Sequence, residues 1–191
     1  TTDALGYTTT YDYDAAGNLI GMTDALGQAV ELEYDKNGRA TVAIQKNGGV
    51  LATAYDKAGR IISETDANKH TTKYRYGKTG LVSEITDALG QKALFEYDAL
   101  GNVTKITAPG NNVTQYAYDI SGRLTMQTNA TGLVTEYVYN ENSQLTSAVT
   151  NGNESLYEHD AMGNVSSVTD AEGRCVKLTY DLNGNLTEII Y

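Results

Sequence analysis

The chain has 191 residues, enough to bury a core, but its 40% hydrophobic content leans on 15 Tyr with one Phe and no Trp, a palette suited to surfaces half buried and half wet. A formal charge of −10 excludes nucleic acid and anionic membrane surfaces, which demand clustered Lys and Arg. No apolar run approaches the ~18 residues of a membrane span, so no membrane insertion is expected, and the single Cys175 can form no internal disulfide.

From its first residues the chain repeats itself. It opens TTDALG, without Met, and is read as a piece of something longer. The stretch YDAAGNLIGMTDALG, residues 13 to 27, holds two Asp-x-x-Gly phrases ten residues apart. The Tyr before the first Asp is a repeat anchor, recurring at Tyr13, Tyr34, Tyr55, Tyr76, Tyr97, Tyr118, Tyr139 and Tyr180, with His159 in the same column. The spacing is 21 residues except for one step of 20 between Tyr139 and His159. That lost residue belongs in the turn after Val149, because Tyr157 and His159 still align with Tyr137 and Tyr139. Such an array of internal repeats decides the architecture.

Asp opens and Gly closes a turn after each anchor, at Asp14 and Gly17, Asp35 and Gly38, Asp56 and Gly59, Asp98 and Gly101, Asp119 and Gly122, Asp160 and Gly163, and Asp181 and Gly184. Gly77 and Asn140 interrupt the Asp column and Ser143 the Gly column. A second set follows each apolar stretch, clearest at Asp24 and Gly27, Asp87 and Gly90, and Asp170 and Gly173. The Asp carboxylate accepts turn N–H groups, and Gly supplies the positive φ of a three-residue hairpin loop. Two turns per repeat mean two strands per repeat. The segments between them alternate at period two, as in Val30-Glu-Leu-Glu-Tyr34 and Val176-Lys-Leu-Thr-Tyr180.

The expected fold class is therefore all-β: tandem β-hairpin repeats of 21 residues forming a curved, continuous antiparallel sheet of about seventeen or eighteen strands, a single repeat array over residues 1–191. One face is expected to carry the anchors, the residues two before them, and the apolar residues six after them, from Leu19 to Leu186. The second face is expected to mix Glu31, Glu33, Lys73, Arg75, Glu96 and Lys177 with Met22, Ile85, Ile106 and Val168.

Little in the chain suggests chemistry. One Asp per turn does not converge into the six to eight oxygens that calcium takes, so the Asp residues are read as turn caps. His70 and His159 are the only imidazoles, 89 residues apart, and His159 substitutes for an anchor Tyr. Cys175 has no evident basic partner to activate it. Sequons such as Asn102-Val-Thr104, Asn164-Val-Ser166 and Asn185-Leu-Thr187 are products of repeat grammar. With no phosphate loop, zinc spacing or nucleophile elbow, no catalytic residue, metal or cofactor is expected.

Repeats reading YDAAGNL, YDKAGRI, YDALGNV, YDISGRL and YDLNGNL resemble the YD repeats of Rhs proteins, of the Tc toxin C component, of wall-associated bacterial toxins and of animal teneurins. The resemblance covers essentially the whole chain. It implies a β-hairpin strip that spirals into a hollow shell enclosing a C-terminal toxin domain, in a secreted or cell-surface parent. Partners would then be the remaining repeats of the parent and that enclosed toxin domain, and the isolated piece should self-associate. No residue matches the family's autoproteolytic segment. Two alternatives stand beside this reading: a carbohydrate- or receptor-binding array that uses the Tyr ladder as a glycan platform, and a phage-fibre or adhesin stalk.

Overall fold

The computed structural model describes residues 1–191. It is all-β, with eighteen antiparallel strands and a single three-residue 3-10 turn at Pro109–Asn111. Its contacts divide it into two compact units, Thr1–Ala93 and Leu94–Tyr191.

The first unit is a meander of β1 (Thr10–Tyr13), β2 (Leu19–Thr23), β3 (Ala29–Tyr34), β4 (Ala40–Gln45), β5 (Val50–Tyr55), β6 (Ile61–Thr65), β7 (Thr71–Tyr76) and β8 (Val82–Thr86). Each strand pairs with the next in sequence. A division at Ala93 leaves Lys92 and Ala93 of β9 (Lys92–Tyr97) in this unit.

The second unit takes the rest of β9 and continues through β10 (Val103–Ala108), β11 (Asn112–Tyr118), β12 (Leu124–Thr128), β13 (Val134–Tyr139), β14 (Leu145–Thr150), β15 (Asn153–His159), β16 (Val165–Thr169), β17 (Cys175–Tyr180) and β18 (Leu186–Ile190). It follows the same meander.

The strands form because β-branched residues and Tyr alternate with polar ones between turn signals. Sixteen glycines at positive φ occupy the turns, Gly101 at 90° among them, a region that L side chains enter only at a cost. Ser143 takes the Gly position of its turn at φ 64°. The 20-residue step has a local cause. Thr150 pairs with Asn153, leaving a two-residue turn at Asn151 (φ 52°) and Gly152 (φ 80°), the left-handed pair of an Asn-Gly hairpin.

The faces differ from the expected assignment. Met22 lies opposite Tyr11, Ile85 opposite Tyr74, Ile106 opposite Phe95 and Val168 opposite Tyr157, so all four stand on the Tyr face. The reason is a β-bulge. In β10, Val103 pairs with Tyr97 and the next paired residue is Lys105; Thr104 is the extra residue. A bulge residue shifts the alternation by one, so positions six and nine after the anchor share a face that strict period two would separate. The same shift recurs at Thr41, Thr125 and Thr146. Their hydroxyls donate to the carbonyl oxygens of Glu33, Ala117 and Val138 at 3.2 Å each.

No hydrophobic side chain is buried anywhere. The only buried residues are Ser147 and Ser167, whose hydroxyls donate to Glu154 and Glu158 at 2.6 and 2.8 Å. The sheet is therefore held by ladder hydrogen bonds, turns and half-buried cross-strand pairs, with no enclosed core.

Candidate functional site

The repeat's most elaborate constellation is the turn after each anchor. In Tyr97-Asp98-Ala-Leu-Gly101-Asn102, Asp98 Oδ1 accepts the N–H groups of Leu100 and Asn102, both at 2.9 Å. Its Oδ2 accepts the Asn102 side-chain amide at 2.9 Å. Asp14, Asp160 and Asp181 do the same with Asn18, Asn164 and Asn185. Where Arg replaces Asn, the guanidinium Nε takes over: Arg39 on Asp35 at 2.8 Å, Arg60 on Asp56 at 2.8 Å and Arg123 on Asp119 at 2.6 Å. The Asn-or-Arg alternation has one chemical content, an N–H donor for the second carboxylate oxygen.

The interrupted repeats keep this logic. Asn140 replaces Asp and turns its amide outward as donor to Gln144 Oε1 at 2.8 Å. Gly77 has no side chain to satisfy, and Leu81 fills the donor column there. The carboxylates pay electrostatic attention to the same partners: Asn102 holds Asp98, and the Arg39 guanidinium holds Asp35, below the usual Asp range.

The anchors join consecutive repeats. Anchor hydroxyls donate to the carbonyl oxygen fifteen residues back: Tyr34 to Leu19 at 2.8 Å, Tyr55 to Ala40 at 3.1 Å, Tyr76 to Ile61 at 2.6 Å, Tyr118 to Val103 at 2.9 Å and Tyr139 to Leu124 at 2.9 Å. The turn arginine of the preceding repeat lies over the ring, with Arg39, Arg60 and Arg123 carbons 4.5, 4.4 and 5.1 Å from the Tyr55, Tyr76 and Tyr139 centroids. At these three places Asp, Arg and Tyr form a joint along one edge. The hydroxyl bonds are invisible to periodicity, since their acceptor is a backbone atom.

On the opposite edge Asp24, Asp87 and Asp170 cap the turns through Oδ1, with Gly27, Gly90 and Gly173 at positive φ. Asp170 Oδ2 also accepts Arg174 Nε at 2.6 Å, the arrangement of the anchor turns. His70 belongs to this edge, its Nδ1 3.2 Å from Asp66 Oδ2. His159 is placed opposite Val165. Cys175 is a free, half-buried thiol opposite Thr169. No three His, Cys, Asp or Glu residues converge as metal ligands. Nothing here brings a nucleophile, a base and an oxyanion donor together.

This geometry, a hairpin repeat spliced to its neighbour by a Tyr hydroxyl, coincides with a family match. The profile of the Teneurin YD-shell covers residues 2–156. The chain belongs to the teneurin YD-shell family. The RHS Repeat profile matches this YD-shell chain at residues 139–174 and 159–191. No curated protein matches it. Among solved structures, the YD-shell chain is similar to a chain of the TcdB2-TccC3-Cdc42 complex, at 20% identity and a TM-score of 0.66, with 97% of this chain and 12% of that one covered. The Photorhabdus luminescens Tc holotoxin pore with a mutated TccC3 gives 20% identity, a TM-score of 0.65 and the same coverage. These likenesses establish a shared fold, and the YD-shell chain spans about an eighth of those chains' length.

Proposed function

We propose that this chain is a stretch of wall in the β-shell of a larger secreted or cell-surface, toxin-like protein, and that it performs no catalysis. The observation that carries this reading is the pairing of strong joints with a missing core. Most turns are capped by an Asp or Asn side chain and Tyr hydroxyls tie repeat to repeat, yet no hydrophobic side chain is buried. A sheet built this way is stiff along its length and incomplete through its thickness, which suits a wall that further repeats or enclosed chain would cover. On this reading, residues 1–191 act as one array whose anchor Tyr and turn Asp and Gly residues are structural joints. Its partners are the parent's other repeats and an enclosed toxin domain.

The Tyr face argues against a glycan platform in one respect: the anchor hydroxyls that a sugar would use already bond backbone carbonyls. Electron microscopy of the parent polypeptide tests the proposal. A hollow particle with this segment in its wall is the expected result. An extended fibre would favour the stalk reading, and saturable binding on a glycan array, lost on Tyr substitution, would favour the carbohydrate reading.

A further inference from the structure

The 20-residue repeat leaves a gap in the row of turns. At the edge opposite the anchors, the preceding turn keeps three residues between Asn129 and Leu133, and its N–H groups are capped by Asn129 Oδ1 at 2.9 and 3.0 Å. The next turn has only Asn151 and Gly152. The column's Asp is Thr150 there, and its hydroxyl is taken by Thr135 at 2.9 Å. The N–H groups of Asn151 and Gly152 and the Asn151 amide consequently have no protein partner. A notch of about 500 Å³ opens beside them, lined by Leu133, Val134, Val149, Glu136, Asn151 and Gly152 among others.

Glu136 is the notch's only ionisable side chain. It stands between Met126 and Val149 on the neighbouring strands and makes no ion pair, as Glu31 in the same column makes none, while Glu96 and Glu84 at other positions of this face each hold a Lys. We propose that this notch receives a lysine side chain of a partner polypeptide. The methylene stem would lie on Leu133, Val134 and Val149, as long cationic side chains cover apolar surface. The ammonium would meet Glu136, and the uncapped N–H groups of Asn151 and Gly152 would bond carbonyl oxygens of the partner's backbone. Those turn donors select a polypeptide over a free amine, which has no carbonyl to offer. Polymeric charge alone would not choose this place, because the net charge of −10 is spread over the whole chain.

The test is an NMR titration of the 191-residue chain with the capped peptide Gly-Gly-Lys-Gly-Gly. Saturable shifts of the Asn151 and Gly152 amides are expected, at least about tenfold weaker binding for Glu136→Gln, and no binding of the Nε-acetyl-lysine peptide. Glu141→Gln, an exposed turn carboxylate outside the notch, should leave the affinity unchanged. Inserting a Gly between Asn151 and Gly152, which restores a three-residue turn, should abolish the shifts while Glu136 remains. No saturable shift, or equal weakening by Glu136→Gln and Glu141→Gln, would overturn the proposal.

Discussion

The hydroxyl of Tyr139 donates to the carbonyl oxygen of Leu124 at 2.9 Å, while the hydroxyl of Tyr13, the first anchor, has no such partner. Tyr139→Phe should therefore cost about 0.5–1.5 kcal/mol, the net value of a hydrogen bond. Tyr13→Phe should stay within about 0.5 kcal/mol of the parent. Urea denaturation of both variants reads the contrast, and equal losses would mean that the anchors act through their rings alone.

The turns separate backbone strain from capping. Gly101 sits at φ 90°, so Gly101→Val should destabilise by ~1–2 kcal/mol or more. Asp98→Ala should cost ~1 kcal/mol through its lost turn bonds. Ser143, held at φ 64°, offers the reverse experiment. Ser143→Gly should raise stability by up to about 1 kcal/mol, less whatever its 3.3 Å contact with Arg123 contributes. A Gly101→Val protein that melts like the parent would contradict the positive-φ turn.

Acid should unfold the protein through the same turns. The Asn102 amide lowers Asp98, the Arg39 guanidinium lowers Asp35, and the backbone N–H of Arg60, followed by its guanidinium, lowers Asp56. A folded-state pKa below the unfolded one means that the unfolded chain binds more protons in the window between them. The stabilisation is complete above the unfolded Asp value of about 3.9 and is lost as pH falls through the lowered folded values. Urea midpoints should be flat from neutrality down to about pH 5 and then fall. Asp98→Asn keeps a capping oxygen, as Asn129 does naturally, and should flatten that acid limb. An unchanged limb would remove Asp98 from the account.

The sequence carried the period, the two turns per repeat, the all-β class and the position of the shortened turn, because turn chemistry is local and each turn states its own needs. What it concealed depends on the partner strand. Thr104 reads as an ordinary strand residue, and only pairing reveals it as the bulge that returns Ile106 to the Tyr face. The Tyr hydroxyl acceptors are likewise backbone atoms one repeat away. One signal was readable in principle: the simultaneous change to Gly77 and Leu81 states that the Asp and the Asn-or-Arg columns are partners.

Phe95 measures how much the half-covered face contributes. Its direct neighbour across the strand pair is Ile106, and the ring is only partly buried. Full burial of Phe95 in a ladder would make Phe95→Ala cost ~3 kcal/mol. With one side open to solvent, the cost should be about 1–2 kcal/mol, since less apolar area returns to water. Thermal denaturation gives the answer, and a loss near 3 kcal/mol would mean that something covers this face in solution.

That last outcome bears on association. β18 is exposed along its whole length, and Leu186, Ile189, Ile190 and Tyr191 remain accessible. One side of this strand pairs with β17, and the other offers unpaired N–H and C=O groups, the usual template for adding a strand. Tyr11, Tyr13 and Leu51 leave the Tyr face of the first unit similarly open. Pairing two β18 strands antiparallel about their midpoint would set Glu188 against Glu188, a like-charge contact that disfavours that register. Together with the charge of −10, this should hold association to small oligomers. Light scattering at tens of micromolar should detect at least a dimer, weakened by a Lys at Ile190, because edge lysines block strand addition. A clean monomer that keeps its cooperative unfolding would show that an open sheet with no buried hydrophobic residue sustains itself on joints and turns alone.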